Sequence, residues 1–364
     1  MKIVIIGAGV IGSSLAWRLA EHGQQVTLVD RAAPGTGATG STFAWMNSNQ
    51  KTPEDYYALN LAGMRMHRQL RDELGSTPWL HDTGNVFWFT DDDDVAELEG
   101  RVARLQSWGY QAEWIDRATL KEMEPDLIPE SEVEHMAYFR DEAWVDGPSL
   151  VHRLSTRAME HGAVLRLAHE VTAFERTGDR ITGVRFADGT GITADLVVNC
   201  AGPSAARIAR LAGRFLPMDA RPGLVLRVSN VDGVLGRVVH APLLHMRPDA
   251  DGLVMLHHGD ADESLIRREP PFEWIETFFE RARAYSPRFA NARLSGWSIG
   301  VRPIPEDNRT SAGPVERIPG YAEIVTHSGI TLGPLLGTLV ARQIVDGITD
   351  PLLDPFSPDR FTSG

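Results

Sequence analysis

The residues with the clearest chemical potential stand at the start of the chain. Gly7-Ala8-Gly9-Val10-Ile11-Gly12 is followed, eighteen residues beyond the last glycine, by the carboxylate of Asp30. Gly7 permits a tight turn, Gly9 lets backbone approach a pyrophosphate, and Gly12 lets a helix pack closely on a strand. The N–H groups around Val10 and Ile11 would face the phosphates, and Asp30 can accept hydrogen bonds from a ribose diol. That is dinucleotide-binding chemistry. The competing reading is a glycine turn that only packs a helix on a sheet. A second candidate is Arg302, in Gly300-Val301-Arg302-Pro303. Its guanidinium matches a carboxylate with two parallel hydrogen bonds, or it braces its own segment to Glu306 or Asp307. His257-His258 end an apolar run, and His258 is the candidate catalytic residue of the two; a strand-end histidine without chemistry is the alternative.

These residues need elements to hold them. Lys2 to Ile6 reads as a strand, Ser13 to His22 as a helix and Gln25 to Val29 as a second strand, so the glycines and Asp30 sit in a βαβ unit. Pro34 to Thr42 is a turn-rich loop of small and hydroxyl residues that could run against a ligand or be simply flexible. Ala194 to Gly202 reads as a buried parallel strand ending in Ala201-Gly202, suited to close ligand approach. Thr52 to Asp55 caps an amphipathic helix reaching about Leu74, and Asp91 to Asp94 is the solvated start of another rather than a metal site. Strands are expected at 85–90, 164–168, 171–175, 181–186, 223–228 and 252–256, and helices at 119–129, 149–161 and 271–285. Gly300 to Asp307 reads as a rigid loop, Tyr321 to Thr326 as a strand, and a helix follows to about Asp346.

Composition narrows the partners. With 364 residues, 43% hydrophobic and 23% charged, the chain can bury a large core in about two domains. A net charge of −13 disfavours nucleic acid and anionic membranes. No apolar run suits a membrane span; the longest, Gly329 to Val345, contains Arg342 and Gln343. Lys2 precedes an apolar stretch, but Arg18, Glu21 and His22 and the lack of a small-residue cleavage site speak against a signal peptide. One cysteine, Cys200, excludes an intramolecular disulfide and suits the cytoplasm. No Cys/His spacing suggests a metal, and adjacent histidines on a strand face opposite ways. Oligomeric state is left open.

The ordered set GAGVIG with Asp30, ATGSTFAWMN, HEVTAFE, DLVVNCAG, GVRPIPED and THSGITLGP resembles the FAD-dependent D-amino acid oxidase-like family, which includes glycine oxidase, sarcosine oxidase and D-amino acid dehydrogenases. The resemblance implies an α/β fold: a Rossmann-like FAD-binding domain of the glutathione-reductase type, with an α+β substrate domain on a mostly antiparallel sheet. The FAD domain would take residues 1–45, 148–213 and 300–364, and the substrate domain 46–147 and 214–299. FAD would be held non-covalently, since the only cysteine, Cys200, sits on the strand before Ala201-Gly202. The implied contacts are Gly7, Gly9, Val10, Ile11 and Gly12 with pyrophosphate, and Asp30 with neighbouring Arg31 at the adenosine ribose. Thr39, Gly40, Ser41 and Thr42 would pass near the pyrophosphate or flavin, Val171 would meet adenine through its backbone, and Ala201 and Gly202 would line the cofactor. Ser328, Gly329, Ile330, Thr331 and Leu332 would address the flavin pyrimidine edge, with Arg302 beside substrate and cofactor. His327-Ser328-Gly329 is shorter than the His-x-x-x-Gly of many relatives, so the loop over the flavin would differ in shape. The implied reaction oxidises the C–N bond of an amino acid or amine by hydride transfer to flavin N5, giving an imine that hydrolyses. Oxygen or another acceptor would take the electrons. A dehydrogenase feeding a quinone or carrier, and a non-catalytic flavin-binding protein, are the alternatives. Trp45, Met46 and Asn47 could wall the pocket or pack the core. Lys51 could activate oxygen or lie solvated, and Tyr56 and Tyr57 could offer hydroxyls or pack a helix.

Overall fold

Lys2–Ile6 runs through the middle of a six-stranded sheet in the computed structural model, which describes residues 1–75, 79–231, 233 and 235–361. The strand order is Ser311–Pro314, Tyr321–Val325, Leu196–Asn199, Lys2–Ile6, Gln25–Val29 and Val164–Arg166. All neighbours are parallel except the edge strand Ser311–Pro314. Buried on both faces, the central strands are continuous apolar runs rather than alternating ones. The first helix spans Val10–Glu21, starting three residues earlier than its sequence suggests. Gly9, in extended backbone, stands at its N-cap, so the glycine turn feeds the helix directly.

The helix Gly329–Asp346 lies against Val10–Glu21, and this contact sets the shape of the site. A Cβ on Gly333 would sit 2.8 Å from a Val10 methyl, and one on Gly337 would sit 2.6 Å from Ser14 Cβ. Two glycines one turn apart therefore allow an approach that any side chain would prevent. Both helix N-termini then open on the same side of the sheet.

A second sheet has eight strands in the order Arg293–Pro305, Met218–Ser229, Val254–His257, His245–Pro248, Val238–His240, Asn85–Phe87, His135–Phe139 and Ala112–Asp116. Its neighbours are antiparallel apart from one pair, Val238–His240 with Asn85–Phe87. One face packs on the helix Glu273–Tyr285, where Phe278, Phe279 and Ala282 meet Leu224 and Leu226 in a buried cluster.

The segment 300–307 differs from the sequence reading. It is not a loop up to Pro305 but the end of the strand Arg293–Pro305, paired residue by residue with Met218–Ser229. Pro303 and Pro305 are tolerated because this strand is the sheet's edge, with one side free of ladder partners. The eight-stranded sheet thus continues past residue 300, where the sequence reading set a domain boundary. Among the described residues, no helix is long and apolar enough to cross a membrane.

Candidate active site

Elements of both sheets line one cleft of about 400 Å³. At one end the walls are backbone. Gly7 has φ of +109°, and a Cβ there would lie 2.3 Å from the Cys200 carbonyl oxygen. The turn can therefore lie flush against the strand end at Cys200 only as glycine. First-turn N–H groups of a helix have no carbonyl to reach within it. Those of Val10–Glu21 and of Gly329–Asp346 both face this cleft, each with the positive end of its helix dipole. Asp30 is fixed from two sides: one carboxylate oxygen accepts from Ala8 N–H at 2.7 Å, the other from Ala32 N–H at 2.9 Å. Each oxygen keeps acceptor capacity for a ligand hydroxyl.

Most expected cofactor residues converge here. Gly7, Gly9, Val10, Ile11, Asp30, Thr39, Ser41 and Thr42 line the cleft, as do Ala201 and Gly202 and the run Ser328 to Thr331. Thr39 accepts the Val10 N–H at 3.2 Å, tying the small-residue loop to the helix start. Others stay behind the wall. Gly12 is pressed against the Gly7 carbonyl, Gly40 packs by Gly35, and Leu332 is wholly buried in the core. Arg31 is exposed and off the cleft. Val171 is buried off the cleft too, its carbonyl accepting from Arg207 at 3.3 Å.

At the other end the walls are side chains. Arg302 lines the cleft, and its Nη2 donates to the buried carboxylate of Asp262, which also accepts the Leu224 N–H at 2.9 Å. Asp262, and not Glu306 or Asp307, is therefore the brace; Asp307 instead pairs with Arg360 at 2.7 Å. The histidine pair is corrected. His258 does not line the cleft: its Nε2 meets the Pro242 carbonyl at 2.9 Å and its Nδ1 accepts the Asp260 N–H, capping the helix Gly259–Ile266. Its neighbour His257 faces the cleft, with Nδ1 at 3.0 Å from the Leu224 carbonyl. Alternation along a strand makes one of two adjacent side chains face each way, and the register with Met218–Ser229 decides which.

Trp45, Asn47 and Lys51 are also lining residues, whereas Met46 is core. Tyr56 places its hydroxyl 3.0 Å from Ser328 Oγ, and Tyr57 packs on Trp108. Burial pushes the Lys51 ammonium down to about 8, partly offset by the charge of Glu142.

Sequence reasoning missed Glu142, Asn85, His240 and His245. Glu142 is fully buried and accepts four hydrogen bonds. Tyr110 Oη–H and Asn49 Nδ2–H reach Oε1 at 2.8 Å; Trp45 Nε1–H at 2.8 Å and Asn85 Nδ2–H at 3.0 Å reach Oε2. Burial pushes this carboxyl up to about 7, against the pull of those donors. His240 and His245 both line the cleft, with ring centres 4.5 Å apart. Burial, first of all, holds both imidazoles well below their ordinary range. No local motif announces these residues, because they come together only through strand pairing. Among the described residues, no group of histidine, cysteine and carboxylate side chains has metal-binding geometry.

Two helix N-termini and a glycine turn beside a carboxylate make a dinucleotide cradle, and the facing sheet supplies a cation and imidazoles. This is the site of a flavin-dependent oxidoreductase, and the chain belongs to the DAO family of FAD dependent oxidoreductases, whose family model matches residues 2–343. Glycine oxidase from Pseudomonas putida is 26% identical over 380 residues, covering 97% of this chain and 96% of that protein. Hydrogen cyanide synthase subunit HcnC from Pseudomonas aeruginosa is 25% identical over 406 residues, covering 99% and 96%. Among solved structures, glycine oxidase from Geobacillus kaustophilus shares the fold with a TM-score of 0.85 at 21% identity, covering 99% of each chain. L-amino acid deaminase from Proteus myxofaciens, in complex with anthranilate, shares it with a TM-score of 0.86 at 21% identity, covering 99% of this chain and 93% of that one.

Proposed function

We propose that this protein oxidises the C–N bond of an amino acid or related amine and passes the electrons to oxygen or to another acceptor. One observation carries the reading: Arg302 shares a single cleft with the N-terminal turn of the helix Gly329–Asp346. Bound FAD would supply the hydride acceptor, and the imine product would hydrolyse in water. The chain's own part is position and charge. Asp262 holds one edge of the Arg302 guanidinium, leaving its other N–H groups for a substrate carboxylate. Gly329 to Thr331 offer N–H groups and a positive dipole end where negative charge would collect during reduction. Gly7, Gly9, Val10 and Ile11 would hold the pyrophosphate and Asp30 the ribose.

FAD would be non-covalent. Cys200 is buried, and burial pushes its thiol up, away from the reactive thiolate. A reduced Cys200 suits the cytoplasm. We assign cofactor binding to the parts carrying the six-stranded sheet, broadly 1–45, 148–213 and 300–364, and substrate binding to 46–147 and 214–299. The names of the relatives, glycine oxidase foremost, favour a small amino acid as substrate.

The test is anaerobic mixing of the yellow holoprotein with glycine, sarcosine, proline and a panel of D-amino acids. Bleaching of the flavin absorbance by at least one of them is expected; none bleaching it would overturn the reading. Peroxide formed in air marks an oxidase, and reduction of dyes or quinones alone marks a dehydrogenase.

A further inference from the structure

Resting on the amine-oxidation reading, we infer that His240 receives the amino N–H of the substrate, and that Asn85 and Glu142 are positioning residues holding its ring in the acceptor form. The inference follows from tracking hydrogen-bond donors outward from Glu142. Trp45 Nε1 is an obligate donor and occupies Glu142 Oε2 at 2.8 Å. Asn85 shares that oxygen at 3.0 Å, so its amide must turn Nδ2–H towards the carboxylate. The Asn85 carbonyl oxygen is then the atom left facing His240, 2.8 Å from Nδ1. An oxygen there can only accept, so Nδ1 carries the proton and the lone pair of the neutral ring resides on Nε2. The lock survives protonation of Glu142, because a proton on Oε1 can be shared with the Tyr110 hydroxyl and leaves Oε2 accepting as before.

The ring is also fixed sideways. Phe87 stacks on it with centroids 5.0 Å apart and planes at 8°, and the Trp45 ring lies at 4.1 Å. Arg101 sits over the Phe87 ring, 4.9 Å from its centroid. Burial first, then the neighbouring His257 and Arg101, keep the imidazole uncharged. Nε2 has no hydrogen bond to any described residue, although His240 lines the cleft. A neutral acceptor held at one orientation in a cleft with two basic side chains, Arg302 and Lys51, suits a ligand bearing both a carboxylate and an N–H donor. The arginine would take the first and His240 the second.

The test uses the full FAD-loaded chain. In protein with isotope-labelled histidine and no substrate, NMR should find the His240 ring protonated at Nδ1 and bare at Nε2, the signals being assigned by their loss in His240→Phe. A protonated Nε2 overturns the inference. Asn85→Leu should release the tautomer; an unchanged ring in that variant removes the positioning role. With the best amine substrate, His240→Phe should raise KM about tenfold, the worth of one hydrogen bond, with kcat changed less than threefold. Binding of the matching carboxylate without its amino group should stay within twofold. Equal weakening of both ligands would show a merely structural role and overturn the inference. Should His240→Phe not fold, Asn85→Leu carries the same comparison, with KM again rising for the amine alone. Failure of every amine to bleach wild-type flavin is a separate result that overturns the functional reading, and the amine role with it. The wrong tautomer in an enzyme that does oxidise amines sinks this inference alone.

Discussion

The two ends of the cleft are built by different means. The end proposed for the cofactor is backbone: a glycine turn, two helix N-termini and a carboxylate held by two N–H groups. The end proposed for substrate is side chains: Arg302 on Asp262, and His240 behind Asn85 and Glu142. A backbone site depends on close approach, which tolerates no added atom. A side-chain site depends on which way neighbouring strands face, and single residues there can change while the frame stands. The first should fail all at once under substitution; the second should lose one ligand contact at a time.

The sharpest way to break that contrast is at Gly7. Gly7→Val combines a positive φ with a Cβ against the Cys200 carbonyl, so FAD affinity should fall more than about a hundredfold, measured by flavin fluorescence on titrating the apoprotein. Retention of yellow colour through purification would erase the distinction. Next comes Glu142→Ala, which strands four donors, three of them on buried residues, and should cost about 3 kcal/mol in denaturant unfolding. FAD affinity should change far less than in Gly7→Val. Arg302→Met should raise KM about tenfold or more for amines carrying a carboxylate, and little for those without one, in steady-state assays.

Two pH slopes are the smallest effects. Glu142 titrates near 7 in the folded protein, above its unfolded value, so the folded state holds the extra proton between the two. Stability should therefore fall as pH rises through that window, by at most about 1.4 kcal/mol per unit, and Glu142→Gln should flatten the slope. Lys51 titrates near 8, below its unfolded value, so the unfolded state holds the extra proton above that pH. Stability should rise with pH there, and Lys51→Met should remove the rise. Urea unfolding across pH reads both.

The legibility of the chain divides along the same line. Helix and strand positions around Gly7, Asp30 and Gly329 could be read because three to eighteen residues of local spacing suffice to place a turn, a cap and an acid. The segment 300–307 reads as a loop because its two prolines signal a break, and only its position at a sheet edge makes them acceptable in a strand. His257 and His258 could not be separated, since adjacent strand residues are equivalent until a register is chosen. Nothing within ten residues of Glu142 forecasts that Trp45, Asn49, Asn85 and Tyr110 will close over it.

Through the resemblance of its ordered motifs the sequence pointed to the flavin class; by local geometry it determined the dinucleotide turn, its helix and acid, and the C-terminal helix start. Each depends on φ, ψ and hydrogen bonding among residues close along the chain. Tertiary structure alone decided that Gly333 and Gly337 bring two helix ends to one cleft, that Asp262 braces Arg302, and that Glu142 and Asn85 orient His240. Those are contacts between residues up to hundreds of positions apart. Sheet register and helix approach fix them, and both are properties of the whole packed core rather than of any segment within it.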